Sequence, residues 1–139
     1  MTTIDGRFAG SAPASRGKLW TGRILSALGV AFMLFDATIH IMKPAPVVTG
    51  FAQLGFPLSA AVPLSIIEFV CIALYLIPRT SVLGAILLTG YLGGAIAIQV
   101  RIGAPLFSTT LFPVYIALLL WGGLYFRDER VRALIPLRV

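Results

Sequence analysis

Four long apolar runs, separated by short connections, dominate the hydrophobic and polar pattern of the chain. They cover about residues 19–42, 58–77, 81–102 and 106–126. Each run is close to the ~20 apolar residues that an α-helix needs to cross a bilayer. The strands of a membrane barrel would be shorter and would alternate apolar with polar positions. The pattern therefore predicts an all-α, polytopic membrane protein folded as an antiparallel four-helix transmembrane bundle.

The first connection, residues 43–57, differs from the other two. It reads "KPAPVVTGFAQLGFP", so it is longer and fairly apolar, and it is rich in proline and glycine. A solvated loop would be more polar. Two interpretations stay open: a plain interfacial loop, or a segment that lies in the outer interface or folds back over the mouth of the bundle.

The composition agrees with a membrane location. Of the 139 residues, 58% are hydrophobic and 12% are charged, whereas soluble domains carry about 25% charged residues. Residues 1–18 lack the apolar segment of a secretory signal, so we predict an N-terminal cytoplasmic tail there and a C-terminal one at 127–139. The lone cysteine, Cys71, excludes an intrachain disulfide.

The net charge of +6 is distributed as in a membrane protein and does not indicate nucleic-acid binding. With four spans, only Lys43 and Arg101 among the Lys and Arg residues fall on one side. Cytoplasmic loops carry an excess of Lys and Arg, so we predict a multi-pass protein of the cell (inner) membrane with both termini cytoplasmic. The nine residues on the predicted cytoplasmic side are Arg7, Arg16, Lys18, Arg23, Arg79, Arg127, Arg130, Arg132 and Arg138.

Polar side chains converge at one level in the outer half of the predicted bundle. Asp36 and His40 lie four residues apart, on one face of the first span, and Glu68 lies near the middle of the second. A charge in hydrocarbon costs about 2.5–3.5 kcal/mol, so such groups pair or share a wet cavity. We predict that Asp36, His40 and Glu68 share one cavity as catalytic residues, with Glu68 as proton donor and Asp36 orienting His40.

Further polar residues at this level are predicted to bind a ligand: Gln99, Arg101, Thr109 and Thr110. A structural alternative exists, in which the Asp36–His40 pair fixes helix packing and Arg101 reaches the headgroups. Two carboxylates and an imidazole can hold iron or zinc. Because the chain has only one histidine, no metal is predicted.

The third span carries the small residues Gly90, Gly93 and Gly94 in "GYLGGA". Gly90 and Gly94 form a GxxxG pair, a pattern that lets membrane helices approach closely. We therefore predict that these glycines face another helix of the same bundle, and that Gly94→Leu lowers thermal stability by overpacking.

Several short motifs, in this order along the chain, resemble the DoxX-like family of small four-helix membrane proteins. They are Gly55 and Pro57 before the span with Glu68, then "PRT", "GYLGGA", "LFPVY", "LWGGL" and a final "R-L-P" pattern. The resemblance covers about residues 35–138. Where the family's third span typically has a histidine, this chain has Gln99, and the arginine two residues later is kept as Arg101.

The resemblance implies a link to quinone-dependent sulfur oxidation or to membrane complexes that handle oxidative stress, although a shared fold does not establish a shared function. The main hypothesis is a redox-associated subunit that binds a quinone or another lipophilic small molecule. It has no intrinsic cofactor, so it needs a redox partner protein. The alternatives are a cofactor-free acid–base enzyme of isomerase type and a non-enzymatic scaffold or assembly factor. The sequence leaves open whether the chain is an enzyme and whether it forms a homo-oligomer.

Overall fold

The structure, a computed structural model, describes residues 14–135, which are almost entirely helical. Its α-helices, numbered in chain order, are α1 (Arg16–Met42), α2 (Ala45–Leu54), α3 (Ala61–Leu76), α4 (Ser81–Arg101), α5 (Phe112–Arg127) and α6 (Glu129–Leu134). A 3-10 turn at Leu58–Ala60 leads into α3, and a π-helical turn at Leu106–Thr110 precedes α5. The parts of the predicted tails at 1–13 and 136–139 lie outside the described residues.

Four helical segments in the described range are long and apolar enough to cross a membrane. They are Arg16–Met42, Leu58–Leu76, Ser81–Arg101 and Leu106–Arg127. Each coincides, within a few residues at either end, with an apolar run in the sequence. The prediction of an all-α membrane protein with four spanning helices is therefore confirmed.

The four spanning helices pack as a bundle, in which α1 contacts α5 and α3, and α4 contacts α3 and α5. Gly22, near the start of α1, lies against Arg127 at the end of α5. Further along α1, the ring of Phe32 packs edge-on against Phe112, at the start of α5, with 4.9 Å between ring centroids. The contacts between α1 and α5 thus follow opposite chain order, which brings the start of α1 and the end of α5 to the same end of the bundle.

Tyr75 ties three helices together in the core. This fully buried side chain on α3 donates a hydrogen bond to the Leu120 carbonyl of α5 at 2.7 Å. Its hydroxyl also lies 2.8 Å from the Ser26 hydroxyl of α1. A buried hydroxyl costs free energy unless it is hydrogen-bonded, so this pair of bonds favours one arrangement of α1, α3 and α5.

The glycine prediction for the third span is wrong. Gly90, Gly93 and Gly94 are exposed, and a Cβ atom at any of them would meet nothing within 4 Å. The reason is helical phase: α4 buries the face that carries Gly84, Ala85, Leu88 and Leu92, and Gly90 and Gly94 lie on another face. The close approach between α3 and α4 is at Gly84, where a Cβ would come within 2.8 Å of the Leu74 carbonyl carbon.

The first connection forms helix α2, which at 10 residues is too short to span a bilayer. It ends at Gly55, whose φ of 69° is a left-handed conformation that glycine adopts without strain. Phe51 is buried, and Arg101 of α4 donates a hydrogen bond to the Leu54 carbonyl. The segment therefore folds back onto the bundle, which is one of the two interpretations of the sequence.

Part of the predicted C-terminal tail is also helical. Asp128 caps the N-terminus of α6 by accepting a hydrogen bond from the Arg130 backbone N–H at 2.9 Å. Val131 on α6 is 2% exposed and joins the core of the bundle. The segment Glu129–Leu134 is therefore docked on the end of the bundle where α1 begins.

The orientation of the bundle in the membrane can be tested with single cysteines in a Cys71→Ala background. Ile135 and Val48 are both exposed, at opposite ends of the bundle. Because most Lys and Arg residues lie at the Ile135 end, we expect a membrane-impermeant thiol reagent to label Val48→Cys in intact cells. Ile135→Cys should react only after permeabilisation. The reverse labelling pattern would invert the predicted topology.

Candidate functional site

Asp36, His40 and Glu68 come together between α1 and α3. The Nδ1 atom of His40 lies 3.2 Å from Oδ2 of Asp36, one helical turn earlier on α1. One potential ligand atom from each of the three residues lies within 4.8 Å of the others. The structure thus places the three residues of the predicted site next to each other. Their catalytic role stays a prediction.

Glu68 is the most deeply buried member of this cluster. Its side chain is 0% exposed, and its Oε2 atom accepts a hydrogen bond from the Tyr91 hydroxyl of α4 at 3.0 Å. Its Oε1 atom is buried without a hydrogen-bond partner among the described residues. Because buried polar groups are normally hydrogen-bonded, an orphaned carboxylate oxygen needs an explanation, such as a proton or a ligand.

Tyr91 is a functional candidate that the sequence analysis missed. It follows Gly90 in the motif that was assigned to helix packing. A tyrosine within an apolar span carries a hydroxyl that needs a partner, and the carboxylate of Glu68 is an acceptor on the neighbouring helix. The need of the Tyr91 hydroxyl for a hydrogen-bond partner inside the membrane could therefore have pointed to its contact with Glu68.

A partly open cavity of about 490 Å³ lies beside the cluster, and all five helices from α1 to α5 contribute to its lining. Small-molecule sites typically measure about 300–1,000 Å³ and have apolar walls with a few polar groups. The apolar walls here include Phe32, Met33, Phe51, Phe56, Phe112 and Ile116, and the polar groups are Asp36, His40, Tyr91 and Gln99. Glu68 is not among the lining residues, so the predicted shared cavity includes Asp36 and His40 but not Glu68. The Glu68 carboxylate contacts the lining residue Tyr91.

Helix α2 contributes to the cavity, so the first connection is part of the site. Phe51 packs edge-on against the His40 ring, with 5.5 Å between the ring centroids. Leu54 and Phe56 also line the cavity. Arg101 holds this wall in place through its hydrogen bond to the Leu54 carbonyl.

The structure separates the four residues that were predicted to bind a ligand. Gln99 lines the cavity, whereas Arg101, Thr109 and Thr110 are not among its lining residues. The Thr110 hydroxyl donates to the Ala104 carbonyl at 3.2 Å, and the Thr109 hydroxyl lies 3.4 Å from that of its neighbour Ser108. The Thr110 bond spans the turn before α5, the Thr109 contact is local to that turn, and Arg101 contacts α2.

Asp36, His40 and Glu68 also form a donor set that suits a divalent cation. Two carboxylates would balance its charge, and imidazole with carboxylate ligands suits several transition metals. All three donor atoms lie within 4.8 Å of one another, so only a small movement would bring them to metal–ligand distances of about 2.0–2.2 Å. The absence of a metal stays a prediction, which elemental analysis of the purified protein tests.

Comparison with known proteins identifies the family. The model of the DoxX-like family matches residues 24–123. The chain belongs to the DoxX-like family. The matched range of this DoxX-like protein includes Asp36, His40, Glu68 and Tyr91. A search of the curated proteins and a search of the solved structures each gave no significant match.

Asp36→Asn tests the pair on α1 directly. Since the chain has one histidine, ¹⁵N-histidine labelling of tag-free protein gives an NMR spectrum of His40 alone. With Asp36 as acceptor, we expect Nδ1 to be protonated in the wild type. In Asp36→Asn that population should fall, and stability should drop by about 0.5–1.5 kcal/mol. An unchanged imidazole spectrum would show that the carboxylate does not orient the ring.

Proposed function

We propose that this DoxX-like protein binds a quinone, or a similar lipophilic molecule with oxygen atoms, and acts as a redox-associated membrane subunit. The observation that carries the proposal is a cavity of about 490 Å³ with mainly apolar walls, where Asp36, His40 and Tyr91 meet on one side. Apolar walls suit the ring and tail of a quinone, and the polar groups suit its oxygens.

The arrangement of the polar groups suits proton exchange with such a ligand. When a quinone is reduced, it takes up two electrons and two protons, and each C=O group becomes C–O–H. Nδ1 of His40 faces Asp36, which leaves Nε2 to exchange one proton with a ligand oxygen. The Tyr91 hydroxyl bonds to the Glu68 carboxylate and can pass the second proton between that carboxylate and the ligand. In this scheme His40 and Tyr91 touch the ligand, and Glu68 stores a proton behind them.

The two electrons come from a partner. A protein without its own redox cofactor depends on another protein for electrons, so the proposal includes a redox partner in the same membrane. We place the complex in the cell (inner) membrane with the cavity in the half away from the termini. A homo-oligomer is the alternative assembly, and crosslinking in native membranes distinguishes the two.

Equilibrium binding tests the proposal. Purified full-length protein in lipid nanodiscs should bind decyl-ubiquinone saturably, with a Kd of about 1–10 μM. Decylbenzene has a comparable tail and ring without carbonyl oxygens, and should bind at least tenfold more weakly. Equal binding of both compounds, or no saturable binding, would remove the quinone proposal. Turnover of a lipophilic substrate by the protein alone would favour the isomerase alternative, and a fixed partner with no small-molecule ligand would favour the scaffold.

A further inference from the structure

At the opposite end of the bundle, two arginines meet an apolar groove. Arg23 of α1 and Arg127 at the end of α5 both line a cavity of about 420 Å³. Beyond them its lining is apolar except for Ser26, and consists of Ala27, Val30, Ala31 and Leu34 of α1 with Leu76 of α3. From Ala27 to Leu34 the groove follows α1 for about 10 Å, at 1.5 Å per residue.

Arg127 has two N–H groups that lack a hydrogen-bond acceptor among the described residues. Its Nε and Nη2 atoms are buried and have no hydrogen-bond partner among residues 14–135. The guanidinium lies over the ring of Tyr75, 5.1 Å from the centroid. A cation–π contact attracts the charge but fills none of the N–H donors. The residue is half-buried, and leaving buried N–H donors of a cation without an acceptor costs free energy.

The two carboxylates next to Arg127 in the chain form ion pairs with other arginines. Asp128 binds Arg130 at 3.0 Å, and Glu129 lies 3.5 Å from Arg132. The hydrogen bond from Arg130 holds the pKa of the Asp128 carboxyl below its ordinary value. In the described part of the chain, no carboxylate forms an ion pair with Arg127. An anion entering the groove could therefore pair with these N–H donors after a small shift of the Arg127 side chain, since they are buried in this conformation.

We propose that this groove binds an anionic phospholipid. The phosphate would accept hydrogen bonds from Arg127, with Arg23 as a second cation, and one acyl chain would lie along α1 toward Leu34. Guanidinium groups match phosphate geometry with paired N–H donors. The apolar part of the groove suits an acyl chain, and the two arginines at its end suit the phosphate of the headgroup. The inference uses none of the residues of the proposed quinone site, so either one can fail independently.

Native mass spectrometry of the detergent-purified full chain tests this inference. We expect phosphatidylglycerol to bind at least tenfold more tightly than phosphatidylcholine with the same acyl chains, and to raise the melting temperature more. Arg127→Gln should lose at least tenfold in affinity for phosphatidylglycerol, and Arg127→Lys should lose less. Millimolar inorganic phosphate should not compete, because it lacks the acyl chain.

Arg79→Gln is the matched control, since Arg79 is an exposed arginine near the same end of the bundle. It removes the same charge and should keep wild-type lipid affinity. If Arg127→Gln does not fold, Arg23→Gln tests the proposal instead, and its affinity for phosphatidylglycerol should fall about threefold or more. Equal affinities for the two lipids would overturn the proposal. So would an Arg79→Gln loss as large as that at Arg127 or Arg23, because it would indicate unspecific surface attraction.

Discussion

Glu68→Gln should weaken decyl-ubiquinone binding at least tenfold, which corresponds to about 1.4 kcal/mol, and leave the fold intact. Glutamine has nearly the same shape and its amide oxygen can still accept from Tyr91. It cannot release or take up a proton, and it puts an N–H donor into a site where the carboxylate has one partner and one orphaned oxygen. The substitution therefore removes the proton store behind Tyr91 with little change in packing.

The pH profile separates this role from a purely structural one. In the wild type, quinone affinity should vary with pH, since a proton on Glu68 decides whether the Tyr91 hydroxyl donates to the carboxylate or to a ligand oxygen. In Glu68→Gln the part of the profile that depends on the carboxyl group should disappear. Glu129→Gln, the same change at an exposed site on α6, is the control and should behave as wild type. A variant with wild-type affinity and an unaltered pH profile would remove Glu68 from the mechanism.

Gly84→Ala and Gly94→Ala should differ in their effect on stability, although they place the same methyl group on the same helix. At Gly84 the new Cβ would meet the backbone of Leu74 and Tyr75 on α3, which cannot move away as a side chain could. We expect a loss of about 1–3 kcal/mol from overpacking. At Gly94 the Cβ would meet nothing within 4 Å. Alanine should therefore be neutral there, or stabilise α4 by up to about 1 kcal/mol.

Reversible unfolding of both variants in one detergent measures this difference. A helical circular-dichroism signal at low temperature confirms that each variant starts from a folded state. If Gly94→Ala destabilised the protein as much as Gly84→Ala, then Gly94 would be in close contact with another segment, contrary to the structure. In the described part of the bundle, Gly94 lines the cavity beside Asp36 and His40, and a new Cβ there would meet no atom within 4 Å.

The four spans and the convergence of Asp36, His40 and Glu68 could be predicted from the sequence. Span length follows from bilayer thickness. Convergence follows from the cost of isolated charge in hydrocarbon, which drives polar groups on neighbouring helices toward each other. Both arguments depend only on residue type and position along the chain.

The remaining features depend on helix rotation, which apolar runs do not encode. In α4 nearly every position is apolar or small, so the sequence has no polar face to show which side packs inward. Gly84 and Gly94 both lie among apolar or small residues of α4, so the sequence does not distinguish them. Only the structure shows that Gly84 contacts α3. For the same reason, the rotation of α4 that brings Tyr91 against Glu68 could not be predicted. The fold of α2 was also open, because its prolines and glycines suit a loop and a short helix alike.

The central claim is that a quinone occupies the cavity beside Asp36 and His40. Photoaffinity labelling with an azido-ubiquinone, followed by mass-spectrometric mapping, tests it most directly. The proposal predicts adducts on cavity residues such as Phe51, Phe56 and Tyr91, suppressed by excess decyl-ubiquinone. Adducts confined to exposed apolar residues such as Phe107 and Leu118, insensitive to the competitor, would contradict it.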